Sequence, residues 1–237
     1  MSLFGATPKE EKLVPAPPGE GREVPLDREE LVVVHRPYSQ AAEQFRRMRN
    51  SLQALNADGA SRSILMTSAM GGEGKTVATV NLALSLAELP QQRVLVVDAD
   101  RLHPGVESLL GLPRRQGVTE LLEGEISLEE ALRPTQVERL DIVGAGAPPI
   151  SPVLHLERVQ AILHAFKRRY DYVLIDGPAV FEANHPSLLG SIVDGILLVV
   201  RMGGSPKQVI EEAFTMLESL GGNVLGTVAT AVEGPMR

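Results

Sequence analysis

The chain contains no cysteine and no tryptophan. Without cysteine it can form no disulfide, no thiolate metal site and no thiol nucleophile. A reducing compartment suits such a composition. Aromatics are scarce as well, with five Phe and three Tyr making up 3% of the residues, so aliphatic side chains must fill the core. Basic charge is in deficit: 23 Lys and Arg stand against 30 Asp and Glu, a net charge of −7. That balance argues against bulk binding of nucleic acid, which wants a basic surface, so no nucleic-acid partner is expected. Long apolar runs are missing too. None approaches the ~18 residues that span a bilayer. The N-terminus, MSLFGATPKEEKLV, lacks the apolar stretch of a secretory signal. The expectation is a cytoplasmic protein with no membrane anchor of its own.

What remains is ordinary for a soluble domain: 43% hydrophobic and 22% charged residues over 237 positions. Residues 1–37 hold six of the 17 prolines and many charges, and read as a flexible tail. Within them, LVVVHRP at 31–37 suits an edge strand or a docking segment. Residues 38–237 are expected to form one nucleotide-binding, kinase-like domain. Helical stretches near 39–56, 75–89, 155–168 and 206–220 alternate with short apolar strands at 63–68, 93–98, 140–143, 170–176, 195–201 and 223–230. Two shorter helical pieces surround GVTELLEGEISLEEAL. Strands apolar on both faces and separated by helices imply an α/β fold, a mostly parallel sheet covered on both sides. Ligands of such sheets bind beyond the carboxyl ends of the strands.

The segment SILMTSAMGGEGKT places Gly71, Gly72, Glu73, Gly74, Lys75, Thr76 and Val77 between a strand and a helix, the context of a phosphate-binding P-loop. Glycines let the backbone curl and turn its N–H groups inward. The helix N-terminus adds partial positive charge. In this pattern Lys75 reaches the β- and γ-phosphates of ATP or ADP, and the Thr76 hydroxyl ligates Mg²⁺. The first position of the usual motif is glycine; here it is Ala69.

Three aspartates follow apolar strands: Asp98 and Asp100 after VLVV, and Asp176 after VLI. A carboxylate at such a place holds a metal or orients a nucleophile. It equally serves as a helix cap or turn residue. Asp176 suits the metal side, and Asp98 and Asp100 suit the region of the γ-phosphate. Lys75, Asp98, Asp100 and Asp176 are the catalytic candidates. Thr76, Asp98 and Asp176 are the metal candidates.

Taken together, the P-loop, VLVVDADRLHP and VLIDGPAV resemble the bacterial tyrosine kinases of capsule and exopolysaccharide biosynthesis, P-loop relatives of the MinD/ParA group. PYSQAAEQFRRMRNSL, GVTELLEGEISLEEAL and GAPPISPVLHL extend the resemblance over about residues 37–230. The resemblance implies an ATP-dependent protein-tyrosine kinase of the stand-alone cytoplasmic type. It implies a homo-oligomer, ring-like, with nucleotide at the subunit interfaces. It also implies a transmembrane chain-length determinant (co-polymerase) partner, through which the chain would associate peripherally with the inner membrane. The family's E-x-x-R-x-x-R interface motif matches Glu43, Arg46 and Arg49. On a helix these three fall within an arc of about 120°, apart from an apolar stripe of Phe45, Met48, Leu52 and Leu55.

The match has departures. Leu102 stands where the family has arginine, Ala179 where it has a second proline, and His185 where it has aspartate. Thr230 stands where an asparagine usually reads the adenine edge; a hydroxyl offers one donor, while an amide offers a donor and an acceptor. Met70 replaces the signature lysine of MinD/ParA ATPases and argues against that subgroup. The last tyrosine is Tyr172, and the segment after Thr230, AVEGPMR, has none of the tail tyrosines that the family phosphorylates. Two readings therefore stand: a kinase acting on a partner's tyrosine, and an ATP-binding regulatory subunit whose nucleotide-dependent oligomerisation gates a membrane partner.

Overall fold

The computed structural model describes residues 26–149, 155–183 and 185–231. The chain runs α1 (Val32–His35), α2 (Gln40–Leu55), β1 (Arg62–Ser68), α3 (Lys75–Ala87), β2 (Val94–Asp98), α4 (Val106–Leu109), α5 (Val118–Glu123) and α6 (Leu128–Ala131). It continues through β3 (Arg133–Pro134), β4 (Leu140–Val143), α7 (Leu156–Lys167), β5 (Tyr172–Asp176), α8 (His185–Gly190), β6 (Gly195–Arg201), α9 (Lys207–Ser219) and β7 (Val224–Thr230). The strands form one sheet in the order β3-β4-β2-β5-β1-β6-β7. All neighbours are parallel except the edge pair β3–β4. This is the expected α/β architecture.

The strands alternate in what they bury, because successive side chains point to opposite faces. Ile64 and Met66, Val94 and Val96, and Tyr172 and Leu174 share one core with α3. Leu65, Leu95 and Val97, and Val173 and Ile175 face the other core, with Leu121, Leu163 and Phe166. Helix α3 is buried around nearly its whole circumference, which fits its mostly apolar sequence TVATVNLALSLA. Its Asn81 is buried and fully used: it accepts from Val33 N and donates to Glu30 O and Val77 O.

That last contact corrects the boundary drawn from the sequence. The run at 31–37 is neither edge strand nor loose tail. Val32–His35 form one helical turn, with Leu31 fully buried and Val33 nearly so. The apolar pair at 31 and 33 docks on α3, so the folded unit starts before residue 38. The tail over 1–25, residues 150–154 of the Pro-rich stretch, and the segment from 232 on lie outside the described residues. Four further elements escaped the sequence reading: α1, α4, the two-residue β3 and α8.

Helix α2 begins where expected, with Ser39 as N-cap accepting from Ala42 N. Its apolar stripe is shorter than expected. Leu52 is buried and Phe45 and Met48 pack on the core, but Leu55 is 65% exposed.

Candidate nucleotide site

Strands β1, β2 and β5 lie side by side, so their carboxyl ends meet on one edge of the sheet. Parallel register puts Asp98 directly opposite Asp176. Both point to the α3 face, where the P-loop leads from β1 into α3.

The loop has the backbone its glycines were expected to supply. Gly72 has φ of +75° and Gly74, at the N-cap of α3, has φ of +89°. Both are left-handed, a region in which other residues are strained. Lys75 opens α3 and is 92% buried, given a relative exposure of 8%. The Thr76 hydroxyl donates to Asp176 Oδ2 at 2.6 Å. Thr79, one turn on, donates to Asp176 Oδ1 at 3.2 Å and to Lys75 O at 2.9 Å. Burial pushes the Asp176 pKa up to about 6; the Thr76 hydrogen bond and the Lys75 charge pull against it, and Asp100 adds repulsion.

Asp98 is fully buried and its pKa is raised well above the ordinary value, first by burial and then by the Asp176 charge. Its oxygens are already engaged by backbone. Oδ2 accepts from Gly105 N and Val106 N, each at 3.0 Å, and Oδ1 from Asp100 N at 3.2 Å. Asp98 thus fastens the start of α4, which is the turn role left open by its sequence. Asp100 does the same for the next turn, accepting from His103 N at 3.0 Å. Both remain beside the loop: a Cβ at Gly105 would stand 3.1 Å from Thr76. Among the described residues, no three acidic or histidine side chains form a ready-made metal site.

Several contacts were not foreseen. Glu182 Oε1 accepts from Gly71 N at 2.9 Å, so a carboxylate occupies a loop amide. Ser205 donates to Glu73 Oε1, and Thr230 donates to Glu73 O at 2.7 Å. Glu73 is buried and its Oε2 has no hydrogen-bond partner among the described residues. Arg201 NH1 lies 3.4 Å from Gly72 O. None of these follows from local spacing, because Glu182, Arg201, Ser205 and Thr230 reach the loop from the ends of other strands. Val77 follows Thr76 on α3 and is partly buried. Thr230 is therefore at the site, but its hydroxyl is spent on the loop backbone.

The proposed interface residues take a different arrangement from the one expected. Arg46 forms a 2.7 Å ion pair with Glu88 and Arg49 one of 2.9 Å with the same carboxylate, both within this chain. Arg46 also donates to Pro37 O at 2.5 Å and Arg49 to Ser85 O at 2.8 Å. Glu43 pairs loosely with Arg47 at 3.7 Å and is exposed. The two arginines clamp α2 to the end of α3 instead of facing outward unpaired. The sequence could not show this, since Glu88 lies about 40 positions away.

The residues fit a nucleotide with its magnesium. A left-handed glycine loop, a buried lysine at a helix start and a threonine hydroxyl paired to a strand-end carboxylate are the donor set such a group needs.

Comparison with known proteins agrees. Tyrosine-protein kinase YwqD of Bacillus subtilis is 28% identical over 200 residues, covering 84% of each chain. Tyrosine-protein kinase CpsD of Streptococcus agalactiae is 28% identical, covering 80% of this chain and 83% of its own. The succinoglycan biosynthesis transport protein ExoP of Rhizobium meliloti is also 28% identical, but this chain spans only 27% of its length. Among solved structures, the chimerical protein CapA2B2 superposes with a TM-score of 0.78 at 25% identity, covering 85% of this chain and 89% of its own. MinD of Pyrococcus horikoshii, complexed with Mg-ADP, superposes less closely, at 0.59 and 27% identity over 71% of this chain and 70% of its own. The sequence model of the AAA domain family matches residues 61–201, from the first strand through the sixth. The chain therefore belongs to the AAA domain family, and its relatives there are the bacterial tyrosine kinases of capsule and exopolysaccharide biosynthesis.

Proposed function

We propose that this chain is an ATP-binding tyrosine kinase that regulates capsule or exopolysaccharide assembly by transferring the γ-phosphate to a tyrosine on a partner protein. The observation that carries the reading is the contact of the Thr76 hydroxyl with Asp176 beside buried Lys75. The loop amides around Gly72 and Gly74 and the Lys75 ammonium would hold the phosphates. Thr76 and Asp176 would hold Mg²⁺, which supplies charge neutralisation to phosphoryl transfer when bound. Asp176, with its pKa raised to about 6, stays largely ionised at neutral pH. Asp98 and Asp100 keep the β2–α4 turn rigid beside the loop, so the acceptor hydroxyl meets a preorganised edge. The partner would be a transmembrane chain-length determinant, and the chain would be cytoplasmic and held at the inner membrane through it. No helix among the described residues is long and apolar enough to cross a membrane. Self-assembly would place Glu43, Arg46 and Arg49 near a subunit boundary.

A second reading, a nucleotide-binding regulator without kinase activity, is favoured by one observation. Of the three tyrosines, Tyr170 and Tyr172 are buried and Tyr38 alone is exposed. Self-phosphorylation on a cluster is thus not available to the described fold.

The two separate in one experiment. The purified chain is incubated with ATP and Mg²⁺, with and without the cytoplasmic part of the membrane partner, and phosphotyrosine is measured by mass spectrometry. The kinase reading expects phosphotyrosine on the partner, and on this chain at Tyr38 only. Bound ATP with no phosphotyrosine on either protein selects the regulator.

A further inference from the structure

Opposite the nucleotide side of the sheet lies a cavity of about 60 Å³, between α5, α7 and α8 on one side and β2 and β5 on the other. Its walls are apolar, with Val97, Ala99, Leu121, Phe166 and Ile175 among them. One wall is not apolar. Arg101 lines the cavity, is only 8% exposed, and its NH2 group is buried with no hydrogen-bond partner among the described residues. Burial lowers its pKa, and the charge of Glu123 is the opposing influence. A buried cation left without a hydrogen-bonded counter-ion costs free energy that the fold has no structural reason to spend.

We propose that this cavity is a binding site for a small apolar monocarboxylate, whose carboxylate pairs with the Arg101 guanidinium and whose hydrocarbon body fills the aliphatic pocket. The chemistry follows from the walls. A guanidinium binds a carboxylate through two parallel N–H donors, and no wall residue named here offers a polar side chain to a second polar group. The size follows from the volume. A water needs about 10–15 Å³ of such space, so the cavity takes on the order of four to six non-hydrogen atoms. A carboxylate on a short aliphatic chain is of that scale, with the charged end toward Arg101.

The position couples the pocket to the nucleotide site. Residues alternate across the sheet, so Val97 faces the pocket while Asp98 faces Thr76 and α3, and Ile175 faces the pocket while Asp176 faces Thr76. Arg101 follows Asp100 directly in the turn that Asp98 and Asp100 fasten. A carboxylate that draws the guanidinium to itself acts on the same turn, and its occupancy is expected to change ATP affinity. This inference does not depend on kinase activity.

The test uses the full chain and butanoate, with 1-butanol as the uncharged control, in titration calorimetry and thermal unfolding. Butanoate should bind and raise the melting temperature of the wild type. Arg101→Leu should weaken butanoate at least about tenfold. Arg101→Leu should also melt no lower than the wild type in the absence of ligand, because it removes an unpaired buried charge. Equal binding of butanoate to wild type and variant, or no binding at about 10 mM, overturns the proposal. So does a wild type that prefers 1-butanol. A variant that melts well below the wild type shows that Arg101 is structural and also overturns it. A variant that retains its melting temperature and loses butanoate supports it.

Discussion

Thr76 Oγ1 donates to Asp176 Oδ2 across 2.6 Å, joining the first turn of α3 to the end of β5. The bond holds a carboxylate where burial disfavours its charge. It also keeps that carboxylate within reach of the phosphate loop.

The pH dependence of stability follows from this pair. The Asp176 pKa is raised from 3.8 to about 6 on folding. A raised carboxyl pKa means the folded state binds the proton more tightly, so the group favours folding at low pH. That contribution falls as pH rises from about 4 to about 6 and is absent above. Asp176→Asn, which cannot ionise, should therefore be more stable than the wild type at pH 8, by roughly 1–3 kcal/mol. The gain should shrink toward zero below pH ~4. Denaturant melts at the two pH values check this. The same variant should lose Mg²⁺-dependent nucleotide binding, since stability and function oppose each other at this position.

Glu182 occupies one of the loop amides. Its carboxylate accepts from Gly71 N at 2.9 Å, and a Cβ at Gly71 would meet it at 2.6 Å. An anion entering the loop must displace it. Glu182→Ala should raise ATP affinity a few-fold, mainly through a faster on-rate, with little change in stability because the contact is exposed. Stopped-flow binding separates the rates. A slower on-rate in the variant would show that Glu182 assists entry.

Glu88 holds two arginines. The Arg46 hydrogen bond is the main influence that keeps its pKa below the ordinary 4.5, with burial opposing and the charges of Arg46 and Arg49 adding. A depressed carboxyl pKa stabilises the fold above the unfolded value and ceases to do so as pH falls through the folded one. Glu88→Gln should cost up to about 1 kcal/mol at pH 7 and progressively less as pH falls below the ordinary 4.5, the modest figure reflecting partial exposure. The substitution also frees Arg46 and Arg49. If these arginines serve an assembly, the variant's size in solution, measured by light scattering, should change. An unchanged size at equal stability would leave them as a clamp on α3 only.

The sheet was legible because it rests on local signals. Apolar strands such as VLVVD and YVLID, the Gly-rich turn and the mostly apolar α3 each carry their own periodicity or punctuation. Asp98 and Asp176 end β2 and β5, since a strand carries its last residue to a predictable edge, while Asp100 lies in the turn beyond β2. Their partners were not legible. Asp98 spends its oxygens on Gly105 and Val106, and Glu88 spends its own on Arg46 and Arg49. The Glu88 pairing is decided by packing between elements far apart in sequence, whereas that of Asp98 is local and realises the turn role its sequence left open. The docking of Leu31 and Val33 fulfils one of the two readings of 31–37, but its helical form was not legible, because a four-residue helix has no periodicity to read.

The central claim is that Lys75, Thr76 and Asp176 together hold a nucleotide with its magnesium. Titration of the purified chain with ATP, with and without Mg²⁺, tests it most directly when repeated on Thr76→Ala and Lys75→Met. The account predicts that Mg²⁺ strengthens binding to the wild type, that Thr76→Ala abolishes the Mg²⁺ effect, and that Lys75→Met weakens ATP at least about tenfold. Wild-type affinity retained in Lys75→Met, or an unchanged Mg²⁺ effect in Thr76→Ala, would contradict it.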